Sequence, residues 1–188
     1  DDLEKAAKEE RIRNLKGFGE KSEANILEAI EELRSRQDRF LLGAVLPIID
    51  DIKTYMAESE AVEAVEVAGS ARRRSDTVGD LDVLVASLKP EIVSEWFISM
   101  PPVSRILSHG PTRSTVVMEN YLQVDLRVVS PESFGAALQY FTGSKDHNVK
   151  LRTIAVRSGY KLNEYGLYKR DTDESVAGRD EKGIYNSL

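Results

Sequence analysis

Two short apolar runs carry aspartates at strand positions, and this constrains the chain more than any other feature. The first, GDLDVLVAS, opens with Asp80 and Asp82, and the second, LQVDLRVV, has Asp125 in its middle. In a strand, side chains two residues apart share a face and lie roughly 6.6 Å apart. Asp80 and Asp82 therefore point together, while Leu81, Val83 and Val85 point into a core. In the second run Val124, Leu126 and Val128 share one face, and Asp125 and Arg127 share the other. A carboxylate within a strong strand is costly unless a partner or a metal ion holds it. An Asp-x-Asp pair alone is weak, since most such pairs are solvated. Here Gly69-Ser70 and the basic turn Arg72-Arg73-Arg74 precede it, so divalent metal and phosphate are the ligands that suit the stretch.

The remaining residues bound the fold class. The chain has 188 residues, enough for one large domain or two small ones with a proper core. Hydrophobic residues at 41% and charged ones at 31% fit an ordinary water-soluble globular protein. The absence of cysteine excludes disulfides, thiolate metal sites and Cys nucleophiles. The longest apolar run, Phe40 to Ile49, is too short to span a bilayer and no signal peptide precedes it, so a cytoplasmic location and no membrane partner are expected. The chain starts at Asp1 without Met, which reads as an excised piece of a longer protein. Its net charge of −6 weighs mildly against a nucleic-acid partner. The distribution softens that objection. Lys53 alone faces Asp50, Asp51, Glu58, Glu60, Glu63 and Glu66, whereas Lys145, Lys150, Arg152, Arg157, Lys161, Lys169 and Arg170 make the segment after Ser130 basic. A local positive field binds phosphate despite an unfavourable total.

Periodicity predicts a helix over Leu3 to Arg13, a glycine turn at Gly17 and Gly19 around Phe18, and a helix with Ile26, Leu27, Ile30 and Leu33 on one face to Ser35. Such a pattern has the form of a helix-hairpin-helix, whose backbone N–H groups can hold a DNA phosphate, or of a plain helical hairpin. A long helix is expected from Arg39 to Glu58, bent or broken at Pro47. Strands are expected over Val62 to Ala68, Asp80 to Ala86, Val103 to Ser108, Ser114 to Met118, Leu122 to Val129, Tyr160 to Tyr168 and Ser175 to Val176. Helices are expected over Pro90 to Ile98, Pro131 to Phe141 and Lys145 to Ser158, with a helical turn or two from Asp180. Trp96 and Phe97 belong to the core on this reading, and His109 and His147 carry no ligand spacing. Strands and helices mix without strict alternation, which favours α+β with a mixed sheet over a doubly wound fold.

Taken in order, LKGFGEKSEANIL, GSARRRSDTVGDLDVLV, VDLRVV, YFTGSKDHNVKLR and KLNEYGLY resemble the family X DNA polymerases, related to the eukaryotic repair polymerase β and closest to bacterial and archaeal members. The GS…GDLD block alone indicates only the nucleotidyltransferase superfamily; the YFTGS and NEYG segments make the resemblance specific. It implies a helix-hairpin-helix segment over 1–41, a catalytic palm over 42–131 and a nucleotide-selecting subdomain over 132–188. It also implies that a small N-terminal domain and a C-terminal phosphoesterase domain lie outside this chain. The implied activity is template-directed transfer of dNMP from a dNTP to a primer 3′-hydroxyl with pyrophosphate release, in gap-filling DNA repair.

By the same resemblance Asp80, Asp82 and Asp125 hold two Mg²⁺ ions (Mn²⁺ as a substitute), Asp125 being the proton acceptor. Gly69, Ser70, Arg73 and Gly79 would bind the triphosphate, with Arg39 as a second phosphate arginine. Tyr140, Phe141 and Gly143 would pack on the incoming sugar, and Asn148 and Arg152 would touch the minor-groove edges of nascent pair and template. Gly17 and Gly19 would bind DNA. Arg127, Asn163, Glu164 and Tyr165 would form a network governing closure. The implied partners are gapped or primer-template DNA and a dNTP, and the chain is expected to be a monomer. Two departures stand out: Gln123 where polymerase β has an arginine, and Lys145 in place of an acid. The competing readings are another nucleotidyltransferase acting on RNA or a small acceptor, and a DNA-binding fragment with little catalysis.

Overall fold

The computed structural model describes residues 2–35 and 39–188. It divides into two compact units, Asp1–Asp38 and Arg39–Leu188.

The first unit is a helical hairpin of α1 (Asp2–Lys8) and α2 (Glu20–Ser35). The first helix is shorter than its periodicity suggests. Glu10 adopts φ 57° and the N–H of Arg11 donates to the carbonyl of Ala6, a closure that stops the helix. The cause lies in α2. Glu23, 1% exposed, accepts the N–H groups of Ile12 and Arg13 at 3.1 and 3.0 Å and Arg13 Nε at 2.6 Å. Ala7, Ile12 and Ile30 are also buried, while the side chain of Leu33 lies outside the described residues.

The second unit is built on a five-stranded sheet in the order β2-β4-β7-β6-β5. Its strands are β2 (Ala64–Val67), β4 (Asp80–Ala86), β5 (Val103–Ser108), β6 (Arg113–Met118) and β7 (Gln123–Val129). β4 and β7 run parallel and the other neighbours antiparallel. One face carries Leu81, Val83, Val85, Val116, Val124, Leu126 and Val128, all buried against α3 (Leu42–Ala57) and α5 (Pro90–Ile98). Phe97 is fully buried there and Trp96 stacks on Tyr55 at 4.7 Å, the core role expected of both. Burying side chains of this size contributes about 1.5–3 kcal/mol each, which fixes the alternation and so sends Asp80, Asp82 and Asp125 to the opposite face.

α3 begins three residues later than expected because Phe40–Leu41 (β1) pairs with Thr77–Val78 (β3). It passes through Pro47 without a break; Pro47 and Gly43, one turn earlier, are both exposed, so the carbonyl that loses its helical donor there is open to solvent. A short helix, α4 (Gly69–Arg72), follows β2 directly.

After β7 a 3₁₀ turn, Pro131–Ser133, replaces the first turn of the expected helix and leads into α6 (Phe134–Thr142). Ala137 and Leu138 of α6 pack on Leu84 and Ala68 and cover the far half of the site face of β4. Helix α7 (Lys145–Arg157) starts at an N-cap, Ser144. The apolar run from Tyr160 splits into a hairpin, β8 (Tyr160–Asn163) and β9 (Gly166–Lys169), because Asn163 Oδ1 accepts the N–H groups of Tyr165 and Gly166 and turns the chain. β10 (Ser175–Ala177) completes a three-stranded sheet, and Asp180 caps α8 (Glu181–Ser187). Among the described residues no helix is long and apolar enough to cross a membrane.

Candidate active site

The carboxylates meet through strand register. Asp82 pairs directly with Asp125 across the parallel β4–β7 ladder, and Thr115 pairs with Asp125 across β6–β7, so Thr115, Asp125 and Asp82 form one row over three neighbouring strands. Asp80 follows two residues before Asp82, opposite Gln123. α6 covers only the Leu84 end of this face, which leaves Asp80 exposed and Asp82 half-buried.

Burial pushes the Asp82 carboxyl up to about 6; Asp80 and Asp125 push the same way, and Arg127 and Arg73 oppose them without prevailing. Asp125 is differently placed. Thr115 Oγ1 donates to its Oδ1 and Gln123 Nε2 to its Oδ2 at 2.8 Å.

Backbone conformation brings the phosphate candidates alongside. Gly69 has φ 60°, and the Asp82 carboxylate lies where a side chain at position 69 would begin, so only glycine fits both the turn and the contact. Ser70 stands half-buried in the first turn of α4. Arg73 caps that helix and donates from Nη1 to the carbonyl of Thr142 at 2.6 Å. Its neighbour Arg72 also reaches Thr142, donating to its Oγ1 at 2.8 Å, but is committed to Glu181 by paired bonds at 2.7 Å.

Arg73, Tyr140, Phe141, Gly143, Asn148 and Arg152 line a single open cleft of about 430 Å³, together with Ser144 and Lys145. Arg73 therefore shares one wall with five candidates from the stretch 140–152, almost seventy residues further along the chain. Tyr140 and Phe141 meet edge to face at 5.2 Å, and the Arg127 guanidinium lies 5.0 Å over the Phe141 ring. Asn148 is oriented by donating to the carbonyl of Tyr140 and accepting from Gln139, each at 2.7 Å. Gly143 ends α6 at φ 67°, and the Arg73 guanidinium lies 3.5 Å from where its side chain would start.

Other candidates do not line this cleft, and of these Arg127 meets it through Phe141. Arg39 is tied to Thr77, donating to its hydroxyl and carbonyl at 2.7 Å each. Gly79 links β3 to β4. Glu164 and Tyr165 form the β8–β9 turn, with Tyr165 58% exposed, while Arg127 lies on Phe141. Gly17, at φ 93°, and Gly19 lie in the α1–α2 turn of the first unit.

Among the described residues, no group of three or more His, Cys, Asp or Glu side chains is closed into a ready metal cage. Asp80 and Asp125 disfavour charge on Asp82, and both oxygens of Asp125 already accept a hydrogen bond, from Thr115 and from Gln123. The donor set nevertheless fits a hard divalent cation in kind, being all oxygen and acidic.

Residues 137–188 match the family model described as DNA polymerase beta thumb. Over 185 residues, 97% of its length, the chain is 35% identical to DNA polymerase/3'-5' exonuclease PolX of Bacillus subtilis. The chain belongs to family X of the DNA polymerases. It spans 32% of the length of that Bacillus protein. It is also 24% identical to Repair DNA polymerase X of African swine fever virus (isolate Warthog), over 75% of this chain and 88% of the viral one. The fold is similar to that of Leishmania infantum polymerase beta in its ternary P/T complex, with a TM-score of 0.72 at 19% identity, over 98% of this chain and 83% of the other.

Within this family X chain, Thr115, Glu181 and Glu23 escaped the sequence reading, and Arg72 was placed only in a basic turn, without its partner Glu181. Thr115 alternates in phase with the aspartate face, a signal the sequence did contain. Arg72 and Glu181 are a long-range pair with no local mark.

Proposed function

We propose that the chain is a template-directed DNA polymerase that transfers dNMP from a dNTP to a primer 3′-hydroxyl, releases pyrophosphate and fills short gaps in DNA repair. The observation that supports this best is the pairing of Asp82 with Asp125 beside a basic, aromatic cleft to which Arg73 belongs. Asp80, Asp82 and Asp125 would hold two Mg²⁺ ions, or Mn²⁺ in their place, which supply Lewis-acid polarisation of the attacking and leaving oxygens.

Each residue then has a task. Asp125 accepts the proton of the primer hydroxyl. The Gly69 N–H and the Ser70 hydroxyl hydrogen-bond the triphosphate, and Gly79 allows the backbone to approach it closely. Arg73 neutralises charge as it develops on pyrophosphate, with Arg39 as a second phosphate contact. Tyr140, Phe141 and Gly143 form the surface against the sugar. Asn148 and Arg152 read the minor-groove edges of the pair, where the pattern is degenerate and pair shape dominates.

On this reading residues 1–41 are the DNA-binding hairpin, with Gly17 and Gly19 presenting backbone N–H groups to phosphate. Residues 42–131 are the palm, and residues 132–188 select the nucleotide, with Arg127, Glu164 and Tyr165 governing closure. Gapped or primer-template DNA and a dNTP are the partners of a monomer.

Primer extension on gapped DNA with Mg²⁺ tests the proposal. The chain extends with the templated dNTP, and Asp125→Ala lowers the rate at least about 100-fold; unchanged extension refutes the mechanism. Untemplated preference for ATP would instead identify another nucleotidyltransferase, and gapped-DNA binding without incorporation a DNA-binding fragment.

A further inference from the structure

We propose that Thr115 and Gln123 are positioning residues for Asp125, fixing the plane of its carboxylate so that it meets cation and primer hydroxyl in a single orientation. This rests on the polymerase reading above.

Both donors follow from strand register. Thr115 is the direct cross-strand partner of Asp125 on β6, and Gln123 precedes Asp125 by two residues on β7, hence on the same face. Their hydrogen bonds take one oxygen each, Thr115 Oγ1 on Oδ1 and Gln123 Nε2 on Oδ2. An ionised carboxylate offers about four lone-pair sites on its two oxygens. Two donors therefore fix the plane and leave one site on each oxygen for a cation or a proton.

Position 115 favours this role. It is 7% exposed, and its β-branched side chain is stiff at χ1, so the hydroxyl is ordered before any ligand arrives. An apolar residue would satisfy the strand equally well, yet would leave one oxygen of a half-buried carboxylate without its donor. Hydrogen-bond partners beyond the ligands themselves typically govern metal affinity or activity by about 10–100-fold.

The test uses the purified 188-residue chain, without DNA or nucleotide, titrated with Mn²⁺ and followed by electron paramagnetic resonance. Thr115→Val and Gln123→Leu are each expected to weaken Mn²⁺ binding about 10-fold or more, and Thr115→Ser to restore it to within about 3-fold. In gapped-primer extension kcat should fall in both variants, while KM for dNTP changes less than about 3-fold, the pattern of an interaction made in the transition state. Thermal unfolding without cation checks that the variants are folded; if Thr115→Val is not, Gln123→Leu, at a half-buried position, decides the matter. Unchanged Mn²⁺ affinity and kcat overturn the proposal, as does tighter binding, which would make the two donors competitors of the cation. A wild-type chain that neither binds Mn²⁺ nor extends a primer overturns the polymerase reading itself, a different result from a working wild type with silent variants.

Discussion

Asp82 should make the cation-free protein less stable at neutral pH than its neutral isostere. Its carboxyl titrates near 6 in the folded chain against 3.8 as an ordinary side chain. A folded-state value above the unfolded one means that folding takes up a proton between the two. Stability is therefore greatest below the unfolded value, falls as pH rises through the window from about 4 to 6, and is flat above it. Two pH units correspond to about 3 kcal/mol. About half of that returns when pH is lowered from 8 to 5. Asp82→Asn removes the charge at nearly constant shape; allowing for imperfect pairing of the amide, about 2 kcal/mol of stabilisation is expected at pH 8. For a chain of this size that is roughly 4–8 °C in Tm. The assay is thermal unfolding of both proteins with a chelator at pH 5, 6, 7 and 8. The gap between them should widen with pH and close towards pH 4, and Mg²⁺ should raise the wild type more than the variant. A variant no more stable than wild type at pH 8, or two parallel pH profiles, would refute the reasoning.

Other expectations follow from the same geometry. Arg72→Ala and Glu181→Ala should each destabilise the second unit, and a double-mutant cycle should give a coupling of about 1–2 kcal/mol, because the pair is bidentate and partly buried; thermal unfolding measures it. Gly69→Ala should cost about 2–3 kcal/mol, since φ near 60° and the adjoining Asp82 carboxylate both oppose a side chain; urea unfolding and primer extension should fail together. In the hairpin, burial raises the Glu23 carboxyl, but hydrogen bonds from Arg13 and Ile12 outweigh it and hold the group below the usual range. The protection of the Ile12 and Arg13 amides should therefore persist above the carboxylate range and be lost as pH falls through the folded value. Amide exchange, corrected for intrinsic rates, should show that loss, and Glu23→Gln should show it at neutral pH.

Much of the sheet was legible because burial writes its alternation directly into the residues. Leu81, Val83 and Val85, then Val124, Leu126 and Val128, announced both a face and its opposite, and Asp80, Asp82 and Asp125 followed by default. Strand order was not legible in the same way. That β7 lies beside β4 depends on pairing between distant segments, and only the register sets Thr115 next to Asp125. The end of α1 was misjudged because a buried acid, Glu23, captures the amides of Ile12 and Arg13 that a longer helix would have used. The hairpin at Asn163 was hidden inside an apolar run because one side-chain oxygen makes the turn. Arg72 and Arg73 look alike in sequence; the difference between them is made by Glu181, more than a hundred residues on.

The parallel β4–β7 pairing has a kinetic consequence. Its partners are separated by about forty residues, and the β5–β6 hairpin with α5 must be accommodated between them. Contacts of such separation carry the loop-closure cost before any reward, and they are characteristically slow to form. The antiparallel pairs β5–β6 and β6–β7 are local and can form ahead of it. During synthesis, a nascent chain that has emerged only as far as β6 already contains Asp80 and Asp82 but has nothing to align them with. Repulsion of Asp125 by Asp80 and Asp82 then arises only at the closing step, so cations present as the chain folds should accelerate the final stage of its assembly.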